Sequence, residues 1–371
     1  MELACTKKVL DYLGIKAEKV SAEIDPLFGW TAHLIMINRR KTLVAVHTAS
    51  RAIFVLHGLT VKQLPKLPEL IIDGVRAMLE SEYVRSEIIE QYLDDCGREL
   101  IIRANASRSA VANCNKACDW TKNYPEMFVP GDLFQKQILP WLNSDILIRQ
   151  GYYYTYQTLL HMLRQRYGED ILSCRMAELE VNLQLHTPCK RVIRIPASLN
   201  FYQLHRVLQE AFAWKDCHLH QFVTKRDAYE RPVEIIRPND EMEEWDDLYE
   251  IARQDSTAIT LEEVLHKYPQ IDYEYDFGDG WQHTIRLRRF IEDCPQAWPH
   301  CVQAIGDAPM EDCGGPNGFA ALMSILKDPT HPEYKEASEW VRGTWWKPLD
   351  VAQVNRMLHD EHRRPIPPEF Y

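Results

Sequence analysis

The chain of 371 residues is too long for one ordinary hydrophobic core, so two or three domains are expected. A composition of 46% hydrophobic and 26% charged residues is that of a soluble globular protein, and no run of about 18 apolar residues is present to span a membrane. Of the 43 Lys and Arg and 54 Asp and Glu, residues 178–371 hold 21 and 34, an acidic excess that argues against a non-specific nucleic-acid surface there.

The opening M-E-L-A-C-T-K-K has no apolar signal core, and ten cysteines are scattered without the density of a disulfide scaffold. Reduced thiols and a cytoplasmic location are the expectation. In chain order, Met1–Cys5 reads as a strand, and Thr6 can cap a helix through Leu13 that Gly14 ends. Trp30–Asn38 and Thr42–His47 are β-branched apolar runs flanking Arg39-Arg40-Lys41, a hairpin with a basic tip, and Ile53–Leu56 is a third strand. Leu64–Glu80 and Glu82–Leu93 have helical spacing, Glu99–Ala104 is a strand, and Ser107–Lys122 is a helix with Cys114 and Cys118 on one face.

Residues 124–177 read as a helical connector: a helix from Pro130-Gly131-Asp132 that Pro140 must kink or end, then Tyr152-Tyr153-Tyr154 leading into Thr155–Tyr167, stopped by Gly168. From about residue 178, strands over Leu179–Leu185 and Val192–Ile195 precede a helix at Phe201–Phe212 capped by Ser198 or Asn200. His218–Val223 is a strand, and a loop centred on the acidic run 240–247 follows. Thr260 with Glu263 makes a capping box for a short helix to Lys267. Residues 294–316 form a Pro/Gly-rich loop, and helices over Phe319–Leu326, Pro332–Val341 and Leu349–Asp360 close the chain.

The hairpin Ile271–Arg289 organises this second half. Ile271, Tyr273, Tyr275 and Phe277 alternate with Asp272, Glu274 and Asp276, and Trp281, His283, Ile285 and Leu287 alternate with polar residues after the turn. A three-residue loop Gly278-Asp279-Gly280 pairs Phe277 with Trp281, Tyr275 with His283 and Tyr273 with Ile285, sets Asp272 opposite Arg286, and keeps both apolar faces together. The fold class is α+β: domains at 1–123 and 178–371 joined by the connector 124–177. The second is a mixed or antiparallel sheet, compatible with a β-grasp-like arrangement, with C-terminal helices.

C-T-K-K-V-L-D-Y-L-G at 5–14, W-T-A-H-L-I-M-I-N-R-R-K at 30–41 and N-A-S-R-S-A-V-A-N-C-N at 105–115 resemble a bacterial domain of unknown function over nearly all of residues 1–123. A-F-A-W-K-D-C-H-L-H-Q-F at 211–222, Y-E-Y-D-F-G-D-G-W-Q-H at 273–283, P-M-E-D-C-G-G at 309–315 and H-P-E-Y at 331–334 resemble the plasmid pRiA ORF-3-like family over about 177–360. That family is found in bacteria and archaea and is sometimes described as a passenger of insertion elements. Neither resemblance implies an activity.

Chemistry could gather in a cluster of His218, His220 and His283 with Asp276, Asp279, Glu311 or Asp312, beside Trp281. Two imidazoles on one strand face and a third from a neighbouring strand can hold a divalent metal with an open position for water. The hairpin register turns Asp276 away from His283. Histidines packed and hydrogen-bonded beside aromatics explain the same pattern. Gly314, Gly315, Asn317 and Gly318 precede a helix and could bind an anion, or simply reverse the chain. Cys294, Cys301 and Cys313 match no zinc-ribbon spacing, and Trp345-Trp346 could be a contact patch or pack the last helices.

The sequence reading is therefore a non-catalytic binding or adaptor module for a protein partner or small ligand, accessory to mobile-element or defence functions. One alternative is a metal-dependent hydrolase using His218, His220 and His283. Another is a nucleic-acid-binding accessory protein acting through the N-terminal domain.

Overall fold

The computed structural model describes residues 1–17, 25–105, 107–144, 146–149, 152–238, 251–344, 346–361 and 363, with backbone only at 146–149, 152, 153, 360 and 361. The chain divides into two compact units, Met1–Ser173 together with Arg363, and the residues from Cys174 up to those before Arg363. Both are α+β, and no helix among the described residues is long and apolar enough to cross a membrane.

The first unit is built on a five-stranded sheet. Strands β1 (Glu2–Cys5), β2 (Gly29–Ile37), β3 (Arg40–His47), β4 (Ile53–His57) and β5 (Ile101–Ala104) run in the order β4-β3-β2-β1-β5, with β1 parallel to both neighbours. The β2–β3 turn is Asn38-Arg39, both at positive φ, and pairs Ile37 with Arg40, so of the basic residues expected at the tip Arg39 stays in the turn while Arg40 and Lys41 begin the next strand. Lys41 lies over the Tyr12 ring, 3.8 Å from its centroid. Helices α1 (Lys7–Leu13), α2 (Leu67–Ser81), α3 (Ser86–Asp95) and α4 (Arg108–Lys122) cover the sheet, and α4 buries Cys114 and Cys118. Gly74 lets α2 approach β4, because a Cβ there would lie 2.5 Å from the Phe54 ring.

The stretch expected as a separate connector belongs to this unit. Its first helix is only α5 (Leu139–Leu142), with Pro140 in the opening turn, where a missing N–H costs nothing. Asn143 clasps the β4 backbone, accepting from Ile53 N at 2.7 Å and donating to Ile53 O at 3.0 Å. Strands β6 (Ile146–Arg149) and β7 (Tyr152–Tyr154) then lead into α6 (Thr155–Tyr167), which Gly168 ends.

The second unit carries an eight-stranded sheet among the described residues. Its strands are β8 (Cys174–Leu183), β9 (Cys189–Pro196), β10 (His220–Arg226), β11 (Pro232–Arg237), β12 (Ala252–Asp255), β13 (Gln270–Tyr275), β14 (Trp281–Cys294) and β15 (His300–Ile305). They run in the order β12-β11-β10-β13-β14-β8-β9-β15, antiparallel except for the parallel pair β11–β12. Helix α7 (Phe201–Phe212), capped by Asn200, lays Phe201, Leu204, Val207, Leu208 and Ala211 on the core. Helices α8 (Leu261–Lys267), α9 (Gly315–Lys327), α10 (Tyr334–Gly343) and α11 (Val351–Glu361) complete the described part. The acidic run 240–247 and Trp345 lie outside the described residues.

Two expectations are corrected here. The stretch 294–316 is not one loop, because β15 lies inside it and pairs with β9, burying Cys301. The hairpin register is two residues from the expected one. Tyr275 pairs with Trp281, Tyr273 with His283, Ile271 with Ile285, and Gln270 rather than Asp272 faces Arg286. A shift of two preserves side-chain parity, so both buried faces survive it. The turn becomes Asp276–Gly280, closed by Gly280 N donating to Asp276 O, with Asp276 itself at φ +57°. Phe277, expected on the apolar face, lies in the turn and is exposed.

Candidate metal centre

Strand β10 enters the core with alternate side chains buried, so His220 and Phe222 face inward. Just before it, His218 meets two carboxylates delivered by separate turns. Its Nε2 lies 3.2 Å from Asp312 Oδ1 and 3.6 Å from Asp276 Oδ2. That nitrogen is shielded from solvent, yet it makes no well-formed hydrogen bond. Both aspartates are held in left-handed backbone, at φ +57° for Asp276 and +61° for Asp312, a conformation that non-glycine residues adopt at local cost. The other oxygen of Asp276 accepts from the amides of Gly278 and Asp279, which fixes its carboxylate. The Asp312 side chain is 73% exposed, so this cluster opens to water.

Around it, polar groups hold the segments in place. Tyr275 Oη donates to Glu311 Oε1 at 2.7 Å and accepts from Cys217 N at 3.0 Å. Glu311 Oε2 also accepts from Lys215 N at 3.0 Å, so its two oxygens tie Tyr275 to the loop before His218. Asp279 Oδ2 accepts from Gly314 N at 3.2 Å. The glycine-rich turn expected to receive an anion thus already engages a carboxylate of the chain itself. Its glycines serve close packing: a Cβ at Gly315 would lie 2.3 Å from Asp279 O, and one at Gly318 would lie 2.0 Å from Cys313 O. Asn317 is exposed.

The three histidines expected to share one ion are divided. Among the described residues, potential ligand atoms lying within 4.8 Å of one another form two groups, His218 with Asp276 and Asp312, and His205 with Asp216 and His220. His283 joins neither. It is fully buried on β14, edge-on to Phe212 and Trp214, with Nδ1 3.3 Å from Tyr273 O, and burial pushes it down to about 3. Trp281 is likewise sealed in the core beside Trp214.

His220 stacks face to face on His205, with ring centroids 3.4 Å apart. His205 projects from the buried face of α7, and its partner Asp216 is again left-handed, at φ +57°. Neither residue emerged from the sequence, where His205 is one more inward position of an amphipathic helix. The A-W-K-D-C-H-L-H run did contain the signal for Asp216. A cavity of about 320 Å³ lined by Arg191, Phe212, Trp214 and Trp346 includes no member of either cluster.

Comparison with known proteins agrees with this division of the chain. The family of plasmid pRiA4b ORF-3-like proteins matches residues 175–356, and a domain of unknown function, DUF6933, matches residues 2–157. Uncharacterized protein y4hQ of Sinorhizobium fredii (strain NBRC 101917 / NGR234) is 33% identical over 173 residues, which span 46% of this chain and 83% of that protein. The crystal structure of the protein of unknown function MM3350 from Methanosarcina mazei Go1 covers 49% of this chain and 98% of its own, at 24% identity and a TM-score of 0.42.

Proposed function

The chain belongs to the plasmid pRiA4b ORF-3-like family through its C-terminal half, and we propose that this half is a metal-dependent hydrolase whose ion lies between His218, Asp276 and Asp312. The observation that carries the reading is His218 Nε2, shielded and without a hydrogen bond, yet within 3.2 and 3.6 Å of two carboxylate oxygens. Bonds of about 2.0–2.2 Å from one ion to an imidazole and two carboxylates produce separations of this size. Imidazole with carboxylates suits zinc, manganese or ferrous iron.

Three protein ligands leave a coordination position for water, and the exposed Asp312 side supplies access. An ion held there would supply a water acidic enough to act as hydroxide near neutral pH, the chemistry that hydrolyses an ester, amide or phosphoester. Glu311, its oxygens taken by Tyr275 and Lys215, positions the His218 loop rather than acting as base.

The test is the metal content of full-length protein purified without a polyhistidine tag or chelator, followed by hydrolysis of ester and phosphoester substrates. One equivalent of ion and one activity should disappear together in Asp312→Asn and in His218→Ala. Metal content unchanged in both variants would overturn the proposal. A second reading, the adaptor module, is favoured by Leu219 and Phe277, exposed apolar residues adjacent to His218 and Asp276. It is supported instead if Leu219→Ser with Phe277→Ser abolishes partner capture while metal content is unaffected.

A further inference from the structure

We propose that the cavity beside Arg191 binds a small aromatic carboxylic acid, its ring between the aromatic walls and its carboxylate on the Arg191 guanidinium. The site shares no residue with the cluster at His218, so the two can fail independently.

The first argument is a buried charge without a counter-ion. Arg191 lies on the core face of β9 and is 1% exposed. Its Nε donates to Ala211 O at 2.9 Å, and its Nη1 faces the carbonyls of Lys190, Ile305 and Gly306 at 2.9–3.1 Å. These bonds fix the guanidinium, yet they use two of its nitrogens and leave Nη2 without a carbonyl. No carboxylate of the described residues forms an ion pair with it. Burial pushes up the neighbouring thiols of Cys189 and Cys301, so both stay neutral and supply no counter-charge. Folded proteins seldom bury a charge unpaired, and the planar guanidinium is the side chain that best matches a carboxylate.

The second argument is the shape of the space. At about 320 Å³ the cavity falls at the lower end of the range of about 300–1,000 Å³ that small-molecule pockets span, which suits a single ring with a short arm. Its aromatic walls are pinned to the backbone. Trp214 Nε1 donates to Pro309 O at 2.9 Å, and Trp346 Nε1 donates to Ala308 O at 2.7 Å. Phe212 stacks on Trp214 with ring centroids 5.4 Å apart, and the Arg191 guanidinium lies 4.9 Å from the Phe212 centroid. With both indole N–H groups spent on carbonyls, the rings present apolar faces to whatever enters.

The third argument is where the remaining charges sit. Lys347 and Asp350 line the cavity from exposed positions, and Glu210 from a half-buried one, whereas Arg191 is sealed. Asp350 accepts from Ala352 N and Gln353 N at 2.9 and 3.1 Å, so its charge is engaged by the start of α11. Lys347 offsets Glu210, and the deepest charge is positive. The competing arrangement leaves Arg191 to its carbonyls alone and fills the cavity with water, which gives no preference for an acid.

The experiment is isothermal titration of the full chain with cinnamate and with cinnamyl alcohol, a neutral analogue that offers no bond to hydrolyse. Wild type should bind one equivalent of cinnamate, about tenfold or more tightly than the alcohol, the gain expected of a hydrogen bond to a charged group. Met357→Trp, at an exposed position that lines the cavity, should block both probes. Arg191→Gln should bind acid and alcohol alike. If that variant does not fold, the comparison of the two probes in wild type decides the role of charge, and Met357→Trp decides the place. Asp312→Asn should bind cinnamate as wild type does. No cinnamate binding by wild type, equal affinity for the two probes, or binding unchanged in Met357→Trp would overturn the site and leave the proposed hydrolase untouched. Cinnamate binding lost in Asp312→Asn and kept in Met357→Trp would place the acid on the ion at His218, overturning this site and supporting that one.

Discussion

Arg363 closes a two-pronged ion pair on Glu82, with Nη1–Oε2 and Nη2–Oε1 separations of 2.8 and 2.7 Å and both side chains nearly sealed from water. The guanidinium also lies over the Tyr156 ring, 3.6 Å from its centroid, and its Nε donates to Ser144 Oγ. Burial pushes the Glu82 carboxyl up, against the pull of Arg363. Removing one partner strands a buried charge. Glu82→Ala should destabilise the first unit by about 3–5 kcal/mol, and a Glu82→Leu, Arg363→Leu double substitution by much less. Chemical denaturation of the three proteins checks the ordering.

Gly315 combines φ +68° with a close approach to Asp279 O. Gly315→Ala must open the contact between the start of α9 and the hairpin turn. A loss of about 1–3 kcal/mol is expected from the backbone conformation, with more from the displaced contact. Asp279 and the neighbouring Asp276 move with the turn, so metal affinity at His218 should fall as well. Calorimetry and metal titration on the same sample measure both.

Tyr275→Phe keeps the ring between Trp214 and His218 and deletes only the hydroxyl. Glu311 Oε1 loses its donor and Cys217 N its acceptor, while Lys215 N still donates to Glu311 Oε2. About 1–3 kcal/mol of stability should disappear, the range for leaving shielded polar groups unpaired. Metal binding at His218 should weaken several-fold, because the loop between Lys215 and His218 carries that ligand. Isothermal titration with Zn²⁺ against a matched melting curve separates the two effects.

The buried histidines set a pH dependence. Burial pushes His47 down to about 4 and His283 to about 3, so neither binds a proton in the folded state near neutrality. In the unfolded chain both titrate near 6.5. The stability they contribute is full above pH 6.5 and is lost as pH falls toward 4, at up to about 1.4 kcal/mol per pH unit for each proton taken up on unfolding. Melting temperatures from pH 7 to 4 should fall accordingly, and His283→Leu should flatten the slope of the second unit. An equal slope in that variant refutes the assignment.

What the sequence made legible follows from what local chemistry can specify. Helix α7 spans Phe201–Phe212 as its spacing and Asn200 cap require, and α6 ends at Gly168 as expected. The hairpin faces were readable because alternation fixes parity. The register was not, because a shift of two residues leaves parity untouched, and only the left-handed Asp276 reveals the longer turn. His218 with Asp312 was among the residues singled out. The pairing of His220 with His205 was not, since a helix and a strand 15 positions apart meet only through the tertiary fold. Strands β11 and β12 also escaped notice, being short and flanking the acidic loop.

The order of strands bears on how the chain is made. β8 is the first strand of its sheet to emerge during synthesis, yet it pairs centrally with β14, Leu183 opposite His283. A hundred positions separate those partners, so one edge of β8 waits unpaired while the intervening chain is translated. Pairings of such long sequence separation close slowly. Meanwhile Leu179, Val181 and Leu183, all buried in the finished fold, lie on a strand open to other chains. Production of this protein should therefore be limited by the nascent chain rather than by the finished fold, and slower synthesis at lower temperature should raise the yield of soluble protein.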